Sequence, residues 1–345
     1  MQVVFTPHSN KNPYQKLLAD SLKLYEVDVV FSRAFPKFFW LLKNRRTTQV
    51  IHIHWPSALY RRKGRLNFAR VFALLRRIIW AKIFGYRLVW TVHNILPHES
   101  DSPFLDRCFR RFFVRFSDGI IGHCEFALLD IQRKFGKAKR SMVIPHGNYM
   151  NYYPQKPDRI LSREKLGISK DAPVLLSFGR LKDYKGIEGL IDQLILLEDN
   201  VTLVVAGEGS VSCDTQERVR GTNVTLKLYC DFISDDEVST FFAVADVMVA
   251  PYAQILTSGA IVLGLSMGVP IVAPAIGCIP ELVDANAGVL YDPADPLGLV
   301  LALRESLNSD LLLMSKSAEK KAAELEWAKI GRETAMFYQK IVNHE

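Results

Sequence analysis

The sequence has few of the features that mark disulfide-rich, zinc-bound or membrane-spanning proteins. Its 345 residues include five cysteines, which are scattered and form no C-x-x-C pair. That spacing argues against a zinc site or a disulfide framework and fits a reducing cytosol. The N-terminus runs directly into apolar sequence without a basic leader, and no apolar stretch approaches the ~20 residues that a spanning helix needs. We therefore expect a cytoplasmic protein that is soluble or peripherally bound to a membrane.

Charge is distributed unevenly along the chain. The formal net charge is +8, but residues 1–160 hold 28 Lys and Arg against 10 Asp and Glu, whereas residues 161–345 hold 16 against 26. The first half should therefore meet an anionic partner, such as nucleic acid, a membrane surface or a phosphorylated substrate. No RNP, KH or helix-turn-helix pattern accompanies the basic residues, so we expect no nucleic-acid partner.

Short apolar runs alternate with longer amphipathic segments throughout the chain. Alternation of this kind predicts parallel sheets that are covered by helices on both faces. The predicted strands are 2–6, 27–31, 50–54, 87–92, 119–122, 141–144, 173–178, 201–206, 224–229, 247–250 and 270–273. The predicted helices are 13–24, 66–84, 104–117, 125–135, 186–197, 235–244, 258–267 and 296–307.

A Pro/Tyr/Asn-rich stretch from Pro145 to Pro157 separates two such series of strands and helices. Since single cores stop growing near ~250–300 residues, the chain is long enough for two domains. We predict an α/β protein with two Rossmann-like, doubly wound parallel-sheet domains that face a cleft, over residues 1–150 and 151–327. Ligands in such sheets bind beyond the carboxyl ends of the strands.

Two cations follow the first strand of the second series. Gly179-Arg180 ends the strand, and Lys185-Gly186 begins a helix. Glycines at such a turn let the backbone approach a ligand closely, and a forked cation beside a point charge suits a diphosphate. The alternative is a pair of solvated surface cations.

A second candidate anion site precedes a later apolar helix. Thr257, Ser258 and Gly259 stand at its N-terminus, where amide groups and the helix dipole favour a phosphate. An ordinary N-cap is the alternative, and the two roles are compatible. The turn at Gly207 and Glu208 follows a buried strand, although a lone G-x-G is a weak signal.

These motifs occur in a fixed order with three others: Ala245-Asp246-Val247, Gly268-Val269-Pro270, and Gly277 with Pro280-Glu281. Together, over about residues 174–293, they resemble the donor domain of the GT4-like (group 1) glycosyltransferases, which have the GT-B fold. The resemblance implies transfer of a sugar from a UDP- or GDP-sugar without a metal or other cofactor. The family's diphosphate contacts would be Arg180 and Lys185, with phosphate held near Ser258 and Gly259. Phe232 would lie near the base, unless it is a plain core aromatic.

One departure from the family concerns two glutamates, eight residues apart, that face the sugar and the ribose. Their equivalents here are Ile255 and Leu263, which can accept no hydrogen bond. Donor identity and stereochemistry therefore stay open, with retention favoured over inversion.

In the first half, polar and aromatic residues follow several strands. Asn10, Asn12 and Tyr14 could meet the acceptor or could cap the helix after them. His-x-His at His52 and His54 suggests a metal, but no third ligand is evident. We favour sugar stacking by Trp55 with His54 beside it.

A Thr-x-His at the next strand end resembles the family's histidine that lines the sugar pocket. His93 is therefore the preferred catalytic residue of this half, against the alternative of a satisfied core histidine. If the reaction inverts, Glu99 or Asp101 could take the acceptor proton.

Eleven cations lie on the segments 61–84 and 104–117, interleaved with apolar residues. They are Arg61, Arg62, Lys63, Arg65, Arg70, Arg76, Arg77, Arg107, Arg110, Arg111 and Arg115. We expect these segments to bind the anionic inner leaflet of the plasma membrane, where a lipid-linked glycan would be the acceptor. The final segment (328–345) should cross back to the first domain, as in GT-B proteins.

Three rival interpretations remain at this point. A GT-B nucleotide-sugar epimerase is the nearest among enzymes. The basic half could instead belong to a non-enzymatic protein that binds an anionic polymer, or the chain could be an inactive donor-binding scaffold.

Overall fold

The computed structural model describes residues 1–9, 12–62, 64–97 and 100–343. The chain forms two compact units, of which the first comprises 1–147 with 325–345 and the second comprises 148–324. Each unit has a six-stranded parallel sheet covered by helices. The predicted α/β class is confirmed.

The first unit begins with alternating strands and helices. Its strands are β1 (Gln2–Thr6), β2 (Asp28–Phe31), β3 (Thr48–Ile53), β4 (Arg61–Arg62), β5 (Arg65–Leu66), β6 (Arg87–Val92), β7 (Gly119–Gly122) and β8 (Ser141–Val143). Its helices before residue 147 are α1 (Tyr14–Lys23), α2 (Phe38–Asn44), α3 (Ser57–Tyr60), α4 (Phe68–Ile83), α5 (Pro103–Phe116) and α6 (Glu125–Phe135). The sheet order is β2-β1-β3-β6-β7-β8, and β4 pairs with β5 in a separate antiparallel ribbon.

The second unit repeats this plan. Its strands are β9 (Val174–Phe178), β10 (Val201–Ala206), β11 (Val224–Tyr229), β12 (Val247–Val249), β13 (Ile271–Pro274) and β14 (Gly288–Tyr291). Its helices are α7 (Arg159–Lys165), α8 (Ile187–Leu197), α9 (Thr215–Arg218), α10 (Asp235–Val244), α11 (Gly259–Ser266), α12 (Ile279–Leu282), α13 (Gly298–Leu307) and α14 (Leu311–Ala323). The sheet order is β11-β10-β9-β12-β13-β14.

The last helix, α15 (Trp327–Val342), belongs to the first unit. It packs against α1, and its Ile330, Phe337 and Ile341 join the core cluster that includes β1. The Tyr338 hydroxyl lies 2.5 Å from His52 Nδ1, which ties the helix to the central strand β3. The end of the chain therefore completes the core of the unit with which the chain begins.

Strand order identifies one binding edge in each sheet. In the first unit the order reverses between β1 and β3, and in the second it reverses between β9 and β12. Doubly wound sheets bind ligands at such switch points, beyond the carboxyl ends of the strands. The loops after these four strands are therefore where each unit's site should lie.

All predicted strands and helices are present, with bounds that differ by two residues at most. The helix predicted from residue 66 begins at Phe68, because Asn67 caps it by accepting a hydrogen bond from Arg70 N. Within the described ranges, no helix combines the length and apolarity that crossing a membrane requires.

Candidate active site

The loop after β9 approaches the loop after β12 closely. Gly186 has φ +71°, and a Cβ there would lie 2.0 Å from the carbonyl oxygen of Pro251. Any other residue would be strained and would also push the two loops apart. This glycine therefore holds the preceding residue, Lys185, against the loop that follows β12.

Lys185 lies at the switch point of the second sheet. Its side chain is buried, and Nζ donates to Tyr252 Oη at 3.0 Å while lying 4.6 Å from the centre of the Tyr252 ring. Tyr252 Oη lies 2.7 Å from Ser258 Oγ. Among the described residues no carboxylate pairs with Lys185, so its charge is oriented but not neutralised.

Ser258 caps α11, since its Oγ accepts a hydrogen bond from Ile261 N at 3.2 Å. The N-cap interpretation is therefore correct, and it leaves the first two amides of α11 for an anion. No acceptor in the described ranges bonds to the N–H of Gly259 or Ala260. The Tyr252 hydroxyl thus connects the buried ammonium of Lys185 to the N-terminus of α11. Both groups favour a negatively charged ligand.

The other donor-site candidates are placed around this group. A Cβ on Gly179 would lie 3.4 Å from Lys185 Nζ, so this glycine keeps space open beside the ammonium. Arg180 is exposed, with its Nη2 3.8 Å from Glu208 Oε2. Gly207, at φ +145°, abuts the Gly179 carbonyl. The remaining two candidates are Thr257, which is half-buried, and Phe232, which is 65% exposed and therefore not a core aromatic.

The two positions that replace the family's glutamates carry apolar side chains. Leu263 is buried, and Ile255 is half-buried. Neither side chain can accept a hydrogen bond from a sugar or a ribose.

In the first unit, a histidine follows each of four consecutive parallel strands. They are His54 after β3, His93 after β6, His123 after β7 and His146 after β8. All four are buried, and Tyr14 packs its ring against them. The carboxyl edge of this sheet therefore carries a row of imidazoles, which we call the histidine row.

Hydrogen bonds set the proton positions in this row. His123 Nδ1 must carry the proton, because it lies 2.9 Å from the carbonyl oxygen of Ile144. Its Nε2 then accepts from His93 Nδ1 at 3.2 Å, and His93 Nε2 accepts from His54 Nδ1 at 3.3 Å. This order applies when all three rings are neutral. It leaves His54 Nε2 as a bare acceptor.

That acceptor is buried and has no hydrogen-bond partner in the described part of the chain. The hydroxyl of Thr6, at the end of β1, is buried and unpartnered in the same way. The backbone N–H of His54 donates to the Thr6 carbonyl, so the two residues are neighbours at the switch point between β1 and β3. Thr6 pairs with Ile53, and Phe5 packs against both His52 and His54, so the side chains of Thr6 and His54 lie on opposite faces of the sheet. Each of the two atoms therefore needs its own hydrogen-bond partner.

Burial keeps the histidine row uncharged. It lowers the pKa of His123 to about 4 and that of His146 to about 3. It also lowers the pKa values of His54 and His93 well below the usual range, with neighbouring histidines adding to the effect. At neutral pH these rings act as neutral hydrogen-bonding groups.

Three further candidates lie beside the row. Trp55 is half-buried and stacks on His93, with ring centres 4.7 Å apart, so His93 covers one of its faces. Asn12 Oδ1 accepts from the backbone N–H of Tyr14, which is the capping alternative. Asn10 lies outside the described residues.

Of the two bases proposed for an inverting reaction, the structure describes Asp101. Asp101 Oδ1 accepts from Arg61 at 2.7 Å, and Oδ2 accepts from Leu66 N at 3.0 Å. The amide of Leu66, together with Arg61, lowers the pKa of Asp101. This carboxylate is therefore committed to an ion pair. Glu99 lies outside the described residues.

Two of the eleven cations predicted to face a membrane are buried instead. Arg61 pairs with Asp101 and Asp106, and Arg110 donates to the carbonyl of Ile95 while its guanidinium lies 5.4 Å from the Trp90 ring centre. The expectation for these two was wrong, because two carboxylates neutralise Arg61 and because the planar guanidinium of Arg110 packs against an aromatic face and a carbonyl. Lys63 lies outside the described residues. The other eight are exposed or, at Arg77, half-buried.

Within the described residues, no three His, Cys, Asp or Glu side chains are grouped to hold a metal ion. The histidines of the row bond to one another and to backbone carbonyls instead.

Comparison with known proteins agrees with this arrangement. Residues 172–309 match the family model described as glycosyl transferases group 1, and this segment contains the sheet with Lys185. A GDP-mannose:glycolipid 4-beta-D-mannosyltransferase of Xanthomonas campestris pv. campestris is 22% identical over 333 residues, which cover 94% of this chain and 87% of that protein.

Solved structures match the whole chain. Sucrose-phosphate synthase from Thermosynechococcus elongatus has a TM-score of 0.75 at 17% identity, covering 100% of this chain and 99% of that one. Anabaena HepE, solved with UDP and glucose, has a TM-score of 0.71 at 19% identity, covering 99% and 100%. The fold is GT-B, as predicted. Residues 172–309 of the second unit are thus similar to the glycosyl transferases group 1, and the whole chain has the fold of the solved GT-B structures.

Sequence reasoning missed three residues of the candidate site. Tyr252 links Lys185 to Ser258, and its only sequence signal is its place after Pro251 at a strand end. His123 and His146 extend the histidine row. A histidine within three residues of the end of successive apolar strands is a pattern that would have found them.

Proposed function

We propose that the protein transfers a hexose from a nucleoside-diphosphate sugar to a lipid-linked glycan in bacterial surface polysaccharide synthesis. The observation that carries the proposal is the Lys185-Tyr252-Ser258 chain at the switch point of the second sheet. GDP-mannose is the first donor to test, because a relative that aligns with 94% of this chain is named for it.

In this mechanism, the bond between the anomeric carbon and the diphosphate breaks, and negative charge grows on the leaving group. Lys185, Arg180 and the first amides of α11 stabilise that charge. Groups already fixed in place need no reorganisation during the reaction, and one such donor contributes about 3–4 kcal/mol to the barrier. The mechanism requires no metal.

The first unit would bind the acceptor at the β1/β3 switch point. His54 Nε2 would accept a hydrogen bond from a hydroxyl group of the acceptor sugar, and His93 and Trp55 would line the same pocket. The exposed cations of α4 and α5, with Phe68 and Phe72 on the outer face of α4, would hold the anionic inner leaflet.

We propose inversion rather than the retention that the resemblance favours. The glutamate that faces the sugar in the family is absent at Ile255, and a β-mannoside formed from an α-linked sugar nucleotide requires inversion. Glu99 is then the better candidate base, since Asp101 is held by Arg61.

A transfer assay tests the proposal. The protein should move radiolabelled mannose from GDP-mannose to a membrane lipid extract, and the one-bond carbon–hydrogen coupling of the new linkage should report a β-anomer. Release of nucleotide without transfer, or with an epimerised sugar, would favour the epimerase. A gel shift on RNA or DNA at physiological salt would favour the anionic-polymer alternative.

A further inference from the structure

Three arginines line a cavity of about 390 Å³ in the first unit. Arg33 lies in the loop after β2, and Arg70 and Arg77 lie two turns apart on one face of α4. Ala58 and Ala73 form part of the remaining wall, so small side chains leave the space between the guanidinium groups open. We call this space the arginine cavity.

The charge of the arginine cavity is not compensated. Within the described ranges none of its three arginines forms an ion pair, and no carboxylate lines the wall. Arg70 Nη1 donates to the Arg61 carbonyl at 2.7 Å, and Arg77 Nη1 donates to the Phe35 carbonyl at 3.0 Å. These carbonyls orient the guanidinium groups without neutralising them. Burial, and then the charge of Arg76, lower the pKa of Arg77.

A neighbouring arginine shows the contrast. Arg61 is buried and is neutralised by Asp101 at 2.7 Å and by Asp106 at 2.6 Å. The same region therefore supplies carboxylates where a cation is to be paired within the chain. In the arginine cavity Arg33 and Arg70 are exposed and Arg77 is half-buried. Three like charges around one cavity repel one another, so an anionic ligand would stabilise it.

We propose that the arginine cavity binds the diphosphate ester of the acceptor, an inference that rests on the proposed function. A guanidinium presents two parallel donors to phosphate oxygens, so three arginines can bond to both phosphoryl groups of a diphosphate. The loop after β2 and helix α3, which follows β3, form part of its wall. Both follow the carboxyl ends of their strands, as does His54, whose Nε2 has no partner among the described residues. The acceptor's sugar and its diphosphate would then both lie along one edge.

Calorimetric titration of the full chain with inorganic pyrophosphate tests this site. Two sites are expected, the arginine cavity and the Lys185 group. Arg33→Gln and Arg77→Gln should each weaken one site roughly tenfold or more, as expected for a lost charged hydrogen bond, and should leave the other unchanged. Lys185→Ala should remove the second site alone. Arg76→Gln is the matched control, because Arg76 is exposed beside Arg77 and does not line the cavity.

Equal binding by wild type, Arg33→Gln and Arg77→Gln would overturn the proposal, as would an equal loss in Arg76→Gln. Variants are compared only if their urea unfolding midpoints match that of wild type. If pyrophosphate binds in the arginine cavity but not at Lys185, the result would count against the proposed function and not against the arginine cavity.

Vesicles distinguish the source of the diphosphate. Phosphatidylcholine vesicles that carry a polyisoprenyl diphosphate should recruit the protein more than plain vesicles do, and free pyrophosphate should compete. Binding of pyrophosphate without such recruitment would overturn the lipid-linked source and would assign the cavity to a soluble diphosphate ester.

Discussion

At the scale of single residues, the Tyr252 hydroxyl is the group that connects the two anion-binding features of the second unit. It accepts from Lys185 and contacts Ser258, the N-cap of α11. The ring beneath the ammonium adds a cation–π contact. A substitution that removes only the hydroxyl therefore tests how the hydrogen bond orients Lys185, while the ring still covers the ammonium.

We expect Tyr252→Phe to lower kcat about fivefold, since one hydrogen bond contributes ~1 kcal/mol and the ring contact is kept. Steady-state transfer kinetics measure this. Tyr229→Phe is the control, because it too removes a hydroxyl hydrogen bond, from Tyr229 to the Leu166 carbonyl. A similar fall in both variants would mean that general destabilisation, not Lys185 orientation, is responsible.

Sequence could identify the charged residues of the site but not the contacts between them. Lys185 and Ser258 stand in recognisable motifs at strand ends. Tyr252 contacts Lys185 only because the loops after β9 and β12 come together at Gly186. This contact depends on tertiary structure, which the local sequence does not show. For Arg110 the sequence pattern predicted the wrong environment. Helical periodicity grouped it with solvated arginines, whereas the fold buries it against Trp90.

At the scale of elements, the loop between β9 and α8 depends on a glycine for its shape. Gly186→Ala should lower the free energy of unfolding by about 1–3 kcal/mol and weaken nucleotide binding, because φ is +71° and the Pro251 carbonyl occupies the Cβ position. Urea unfolding and calorimetry measure the two effects.

Gly189→Ala provides the matched control, three residues further along in α8. Its Cβ would meet no atom within 4 Å, so the variant should be more stable than wild type by about 0.5–1 kcal/mol and should bind nucleotide normally. Equal stability of the two variants would contradict the account of the loop.

The outer face of α4 carries exposed apolar residues at helical spacing, including Phe68, Phe72, Ile79 and Ile83. Phe68→Ser with Phe72→Ser should reduce flotation with anionic liposomes at least tenfold, since burying each ring in a bilayer contributes about 2 kcal/mol. Leu312→Ser with Leu313→Ser on α14 is the control, with similar exposure in the other unit. No flotation of wild type at low salt would contradict the membrane proposal.

Most strands and helices could be predicted because their apolar runs have clear periods. Helix α14 could not, since its buried residues are Met314, Ala318 and Ala322 among lysines and serines. A stripe of small side chains carries little periodic signal. Strand β14 was not predicted either. It is short and lies at the edge of its sheet, where only part of its surface is buried, so its apolar run is weak.

At the scale of the whole molecule, the buried histidines make folding sensitive to acid. Their folded pKa values lie below the ordinary ~6.5, so the unfolded chain binds more protons below that pH. Stability should therefore fall as pH drops from about 6.5 towards 4. Each histidine contributes up to about 1.4 kcal/mol per pH unit.

Urea unfolding between about pH 7 and pH 5 measures this slope. His123→Gln should fold and show a shallower slope, because one proton-binding group of the unfolded chain is removed. A slope identical to that of wild type would mean that His123 titrates equally in both states.

The central claim is that the second unit binds a nucleoside diphosphate through Lys185, and calorimetry with UDP and GDP tests it most directly. Wild type and Lys170→Ala, which removes an exposed lysine of the same unit, should bind at least one of the two nucleotides. Lys185→Ala should bind it at least tenfold more weakly while unfolding at the same urea concentration. Unchanged affinity in Lys185→Ala, or no binding of either nucleotide to wild type, would contradict the account.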